Sequence, residues 1–227
     1  IDDLPYGTTQ CAWDVVIPFA PMWVQLARIV KPRAPMVLFG TQPFTSLLIA
    51  SNLKQFRYSL IWDKGRGFEP QLANVRPMKA HEDISVFGIK SPVYNPQMEQ
   101  LHKPDKRNPK SGSPNRQDGR GHQILSGSTL LTGPREYTER FPQSIISFSP
   151  VPQTERLHDS QKPIALMAYL VQTYSNVGDT ILDFSMGVGS TLVAAKMVGR
   201  QAIGIEIDER YCEIAATRLQ QESMVLI

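Results

Sequence analysis

Apolar positions recur with strand-like and helix-like spacing at both ends of the chain, and that regularity is lost in the middle. From Phe19 to Val30, the residues Met22, Trp23, Leu26, Ile29 and Val30 share a helical face, and Lys31-Pro32 ends the helix. Met36-Val37-Leu38-Phe39 reads as a short buried strand closed by Gly40. Pro43 begins a second helix, with Phe44, Leu47 and Leu48 on one side, running to about Asn52. Tyr58 to Trp62 and Ile84 to Phe87 are further strands. Near the other end, Lys162-Pro163 starts a helix in which Ile164, Met167, Ala168, Val171 and Tyr174 share a face. Thr180 to Asp183 is a strand, followed by a glycine loop and a helix through Leu192, Val193, Ala195 and Lys196. Ala202 to Glu206 is the next strand, and Tyr211, Ile214, Ala215, Arg218 and Leu219 mark a last amphipathic helix. Strands alternating with helices predict a mostly parallel sheet with helices on both faces.

The stretch from Ser91 to about Leu157 is different. It is rich in Pro, Gly, Ser, Asn and Gln, and predicts mostly loop, with one strand around Ser144 to Phe148. Three segments follow: an α/β half over 1–90, an irregular insertion over 91–157, and a second α/β half over 158–227.

Composition adds a few bounds. An apolar fraction of 41% in 227 residues is enough for a sizeable core. The net charge of +3 permits a polyanionic partner without requiring one. Cys11 and Cys212 lie far apart, with no CxxC and no zinc spacing, so two free thiols in a reducing compartment are expected and no metal is implied. No apolar run approaches the roughly 20 residues that span a bilayer, and no signal peptide is visible. A soluble, cytoplasmic protein is expected.

Two loops carry candidate chemistry. Asp183-Phe184-Ser185-Met186-Gly187-Val188-Gly189-Ser190-Thr191 follows a strand and opens a helix, where ligands of open α/β sheets bind. Gly187 and Gly189 allow tight turning and close backbone approach, and the helix turns its positive end toward the ligand. Glu206 ends the next strand, at about the spacing at which an acid meets a ribose. No third glycine follows and an acid precedes, so the loop differs from the dinucleotide GxGxxG; Asp183 suits a ligand with an ammonium group. Asp208 reads as the cap of the last helix.

Asp3-Leu4-Pro5-Tyr6 suits a different task. The lone pair of an adenine amine is spread into the ring, so the nitrogen is a poor nucleophile. A carboxylate (Asp3) and a backbone carbonyl (Leu4) accepting its two hydrogens draw it toward tetrahedral geometry. Pro5 stiffens the turn and Tyr6 can stack on the base. Positioning and electrostatics then carry the rate, on a base flipped out of the duplex.

Five motifs occur in one order: Asp3-Leu4-Pro5-Tyr6-Gly7-Thr8-Thr9, Leu38-Phe39-Gly40-Thr41-Gln42-Pro43, Lys79-Ala80-His81-Glu82-Asp83-Ile84, His158-Asp159-Ser160-Gln161-Lys162-Pro163, and the Asp183 loop. The set resembles the DNA adenine-N6 methyltransferases with the catalytic motif ahead of the cofactor motif, the β group, and among them the phage and prophage type. The resemblance covers essentially the whole chain, loosely over 91–157. It implies a Rossmann-like fold with a target-recognition insertion, S-adenosylmethionine as cofactor and double-stranded DNA as partner, as in restriction-modification, with a homodimer as an option. It implies catalysis by Asp3, Leu4, Pro5 and Tyr6. Asp183, Phe184, Ser185, Gly187, Gly189, Ser190, Thr191 and Glu206 would bind the cofactor, with Ser160, Gln161 and Lys162 holding its methionine part. Thr41, Gln42 and Pro43 would line the base pocket or the cofactor's edge, and His81 and Glu82 would be packing or hydrogen-bonding residues.

The chain departs from the family in three places. Leu4 replaces the usual proline, Ser185 stands where phenylalanine is common, and only Ile1 and Asp2 precede the catalytic loop. The last departure predicts a sheet without its N-terminal strand and a catalytic loop without an anchor. Lys103, Lys106, Arg107, Lys110, Arg116 and Arg120 form a basic stretch suited to DNA phosphates. Trp62, Asp63, Lys64, Arg66 and Gly67 are expected as a loop near the flipped base, while Trp13 and Trp23 are expected in the core. The alternatives are N4-cytosine methylation, whose enzymes usually have serine where this chain has Asp3, so that adenine is favoured, an RNA target, and a nucleic-acid-binding remnant without activity.

Overall fold

The computed structural model describes residues 1–7, 14–107 and 135–221. By contacts the chain divides into a larger unit, Ile1–Asn95 with Gln143–Ile227, and a smaller one, Pro96–Pro142. The larger unit begins with α1 (Phe19–Ile29), β1 (Met36–Gly40), α2 (Phe44–Ser51), β2 (Phe56–Phe68) and β3 (Lys79–Phe87). In the smaller unit, β4 (Glu99–Arg107) and β5 (Arg135–Arg140) form an antiparallel hairpin. The larger unit resumes with β6 (Ile145–Ser147), α3 (Ile164–Tyr174), β7 (Thr180–Asp183), α4 (Ser190–Met197), β8 (Gln201–Gly204) and α5 (Glu209–Gln221).

One sheet has the order β1-β3-β2-β6. β2 and β6 are parallel, and β3 runs antiparallel to both β1 and β2, so β3 alone opposes the common direction. β7 and β8 form a parallel pair. Every residue of β1 is buried, and its side chains alternate between two cores. Val37 and Phe39 pack with Leu60, Trp62, Ile84 and Val86 against Leu166, Met167 and Leu170 of α3. Met36 and Leu38 pack with Leu4, Phe87 and the buried faces of α1 and α2. Covering both faces explains the near-continuous apolar run of β1.

The start of the chain corrects one expectation. Asp2 forms a parallel bridge with Leu38, its N–H donating to the Val37 carbonyl (2.9 Å) and its carbonyl accepting from the Phe39 N–H (3.0 Å). The Ile1 nitrogen donates to the Leu182 carbonyl of β7 (3.0 Å). The Asp3 loop therefore has an anchor: two residues tied to β1 and β7 hold Asp3 in place.

Two further differences concern pairing. Asp63, Lys64, Arg66 and Gly67, expected as a loop, continue β2. Asp63 pairs with His81 and Phe68 with Lys79, with an irregularity between them. Part of the stretch expected as loop is the β4–β5 hairpin, bound by Arg140 to Glu99 (2.6 Å). Among the described residues, no helix is long and apolar enough to cross a membrane.

Candidate active site

Two clefts open in the larger unit. The first, of about 960 Å³, lies over β1, β2 and β3 and is lined by Leu4, Tyr6, Thr41, Gln42, Pro43, Trp62, Lys64, His81 and Glu82, among others. The second, of about 1120 Å³, is lined by Pro5, His158, the Asp183–Val188 loop, Ser190, Thr191 and residues 205–211. Asp3, Ser160, Gln161 and Lys162 line both. The two ends of the sequence thus meet at one wall, with the Asp3 carboxylate in it.

The electrostatics of that wall follow from burial. The Lys162 ammonium, in a side chain only 7% exposed, pairs with Asp3 Oδ2 and stands 3.3 Å from Glu82 Oε2. Glu82 Oε1 pairs with Lys64 Nζ at 2.5 Å. Tyr6 donates its hydroxyl to Asp3 Oδ1 (2.6 Å). Burial pushes the Asp3 carboxyl up; Lys162 pulls it down, Glu82 pushes it up again, and the net shift is upward. Burial also opposes charge on Glu82 and Lys162, but ion pairing wins: Glu82 ends below the usual carboxylate range and Lys162 above the usual ammonium one. Lys64 lies over the Trp62 and Phe68 rings, and Lys162 over Phe39.

The second cleft is built differently. Asp183 is buried, and desolvation raises its carboxyl to about 6 despite a hydrogen bond from Thr191. Asp2 is also buried. Its Oδ2 accepts the Phe184 N–H (2.7 Å), its Oδ1 pairs with the Ser185 hydroxyl, and burial followed by the Asp183 charge raises it strongly. The Ser185 hydroxyl also stands 3.0 Å from the Asp3 carbonyl, so the glycine loop is clasped to the Asp3 loop. Phe184 packs on the core that holds Leu4. Ser185 and Phe184 thus divide the tethering and packing duties of this position.

The glycines have separate roles. Gly187 turns at φ 53°, and its N–H donates to Glu206 Oε2 (2.9 Å). Gly189, at φ 75°, precedes α4 and faces α5: a Cβ there would stand 2.8 Å from that of Ala215. It lies off the lining of the second cleft. Glu206 falls beyond the end of β8, and its Oε1 accepts the N–H groups of Ile207 (2.8 Å) and Asp208 (3.0 Å). Asp208 caps α5, accepting the Arg210 N–H at 3.0 Å. Ser160 turns its hydroxyl to His158 Nδ1 (2.9 Å), and Gln161 accepts the Leu157 N–H (2.8 Å).

The other expected residues fall as follows. Pro5 faces the second cleft, while Leu4 and Tyr6 face the first, Tyr6 packing 5.1 Å from the Phe44 ring. Ser190 and Thr191 are buried, with Arg218 Nη1 3.4 Å from the Ser190 hydroxyl. Trp23 packs on Phe87. Lys103 is an exposed residue of β4. The side chains of Lys106 and Arg107, and Thr8, Thr9, Cys11, Trp13, Lys110, Arg116 and Arg120, lie outside the described residues. Sequence reasoning missed Asp2 and the pairings of Glu82. The signal for Glu82 was its position in a strand register that brings its carboxylate beside a lysine 80 positions later.

A buried carboxylate between two clefts, on a sheet covered by helices, defines a Rossmann-like methyltransferase fold with a shared wall. Residues 17–217 match the family of N6/N4 methylases described as "DNA methylase", and the chain belongs to that family. Over 233 aligned residues it is 25% identical to the type II methyltransferase M.HpaI of Haemophilus parainfluenzae, covering 96% of this chain and 64% of that protein. The chain thus spans less than two thirds of that relative's length. In structure it is similar to the complex of M1.HpyAVI with S-adenosylmethionine (TM-score 0.60, 22% identity, 96% of this chain and 86% of that one). It is also similar to the cytosine-N4-specific PvuII DNA methyltransferase (TM-score 0.61, 13% identity, 96% and 77%).

Proposed function

We propose that the chain carries out site-specific methylation of DNA, moving a methyl group from S-adenosylmethionine to the N6 amine of an adenine flipped out of the duplex. The observation that carries this reading is the place of Asp3, in the wall common to both clefts. The first cleft takes the base and the second the methyl donor. Two features of the second cleft fit that donor. Asp183 and Asp2 are buried acids whose charge is costly without a cation, and S-adenosylmethionine carries an ammonium and a sulfonium. The loop of Gly187 and the acid Glu206 suit its nucleoside part.

When bound, S-adenosylmethionine supplies an electrophilic methyl group. The chain's own residues prepare the other partner. Asp3 Oδ1 exchanges the Tyr6 hydrogen bond for one from the base amine, and the Leu4 carbonyl takes the second hydrogen. Burial raises the proton affinity of Asp3, which suits it to receive the proton that the amine sheds as the new N–C bond forms. Tyr6, already stacked toward Phe44, offers its ring to the base. In the smaller unit, Lys103 and the neighbouring basic residues supply phosphate contacts.

The same arrangement serves an N4-cytosine amine, the specificity of the similar PvuII enzyme; Asp3 in place of serine favours adenine. The test is incubation with methyl-labelled S-adenosylmethionine and mixed-sequence DNA, then digestion to nucleosides. Label in N6-methyladenine is expected. Label confined to N4-methylcytosine would overturn the choice of base, and binding without label would overturn the reaction.

A further inference from the structure

We infer that Glu82 is a positioning residue for the reaction: by holding Lys162 from one side, it fixes the ammonium that holds Asp3 from the other. This rests on the function proposed above, and gives a working role to a residue that the sequence assigned to packing or hydrogen bonding.

The geometry is a chain of alternating charge, Asp3, Lys162, Glu82, Lys64, running along the floor of the first cleft. Its members come from four places: the loop ahead of β1, the residue before Pro163, β3 and β2. Among the described residues, Glu82 alone pairs with both lysines. Its Oε1 is satisfied by Lys64 at 2.5 Å, whereas its Oε2 is buried, makes no regular hydrogen bond and has Lys162 Nζ 3.3 Å away. A buried carboxylate oxygen left with one ion-pair partner serves to place that partner's charge. A lysine stem is flexible, and its head needs more than one acceptor to stay in one place. With only Asp3 and the Ser160 carbonyl, an acceptor 3.5 Å away, Lys162 would follow that carboxylate when the carboxylate turns to a base. With Glu82 as a second carboxylate partner it stays, and Asp3 is free to exchange its Tyr6 contact.

The other groups facing this cluster are few. Phe39 of β1 presents its ring to Lys162 at 5.1 Å. Tyr6 faces Asp3, and His158 and Asp183 feel the Asp3 charge from the side of the second cleft. Lys79 feels both Glu82 and Lys64.

The experiment compares the wild-type chain with Glu82→Gln and Glu82→Asp. Gln keeps the shape and removes the charge; Asp keeps the charge. Two readouts are used: steady-state methyl transfer against pH, and the NMR titration of the Lys162 ε-carbon, assigned by its loss in Lys162→Arg. For Glu82→Gln, kcat is expected to fall about tenfold or more, with KM for S-adenosylmethionine and DNA within about threefold. The alkaline limb of kcat and the Lys162 titration should both move to lower pH by about one unit. Glu82→Asp should recover most of both. A loss of kcat with no movement of the alkaline limb, or a Lys162 titration unmoved in Glu82→Gln, overturns the inference. If the wild-type chain transfers nothing to any DNA, the proposed function falls, and the titration alone decides whether Glu82 sets Lys162.

Discussion

In the first cleft, Asp3 and Glu82 each lie beside a lysine: Lys162 touches both, and Lys64 completes the set. In the second, Asp2 and Asp183 are buried more deeply, yet no lysine or arginine among the described residues pairs with either. One side is balanced before anything binds. The other keeps negative charge out of water, where its cost is met in part by hydrogen bonds from Thr191, Ser185 and the Phe184 N–H and by the amino-terminal charge of Ile1. The contrast teaches what each side is made for. Under the proposed function, a neutral base needs fixed dipoles and little net field, while a cationic donor is drawn to acids that the protein leaves incompletely compensated.

The largest expected effect breaks the first side alone. Asp3→Ala should lower methyl transfer by about 100-fold to 1000-fold, while S-adenosylmethionine affinity, measured by calorimetry, stays within about threefold. Lys162 retains Glu82 as a partner, so the wall survives. Normal turnover in this variant would remove Asp3 from the chemistry.

A second change sharpens the contrast from the other side. The folded Asp183 carboxyl lies near 6, above its ordinary 3.8, so its charged form costs stability. That cost is absent below about pH 3.8, grows up to about pH 6 and is constant beyond, amounting to about 3 kcal/mol. Asp183→Asn should therefore raise the unfolding free energy of the ligand-free chain at pH 7.5 by up to that amount, and leave it nearly unchanged at pH 3.5. The same variant should bind S-adenosylmethionine about tenfold more weakly. An equal change in stability at both pH values would show that no uncompensated charge resides there.

The smallest effect concerns the clasp between the two sides. Ser185→Ala removes the hydroxyl shared by Asp2 and the Asp3 carbonyl. A loss of about 1 kcal/mol in stability and a several-fold lower kcat/KM are expected, readable by denaturant melts and initial rates. If turnover were untouched while stability fell, the clasp would be a structural tie with no part in aligning the two loops.

The regular elements were legible because burial writes a period into the sequence. The apolar run Met36 to Phe39 faces two cores, and the helical face read from Ile164, Met167, Ala168, Val171 and Tyr174 packs into the core, although Leu166 and Leu170, which that face left out, are buried beside it. The outer half of β2 was not. Asp63-Lys64-Gly65-Arg66-Gly67 has the composition of a turn, and only its pairing with β3 makes it strand. The β4–β5 hairpin is hidden for a similar reason: Glu99 to Arg107 is largely polar, so no alternation marks a buried face. Within the site, the glycine loop and Asp3 could be picked out as motifs. The contacts of Lys162 could not, since 159 positions separate it from Asp3 and only the closed fold brings them together. Asp2 was passed over because a carboxylate beside another in sequence gives no sign that it turns the opposite way, toward Phe184 and Ser185.

Gly189 lies off the lining of the second cleft, and its missing side chain leaves room for Ala215 of α5. α5 also carries Tyr211, whose ring meets His158 edge-on at 4.6 Å. Any bulk introduced at Gly189 would push the later helix outward and take the tyrosine with it, loosening this rim of the second cleft from behind. A residue off the cleft's lining would in that way govern how tightly its rim is packed.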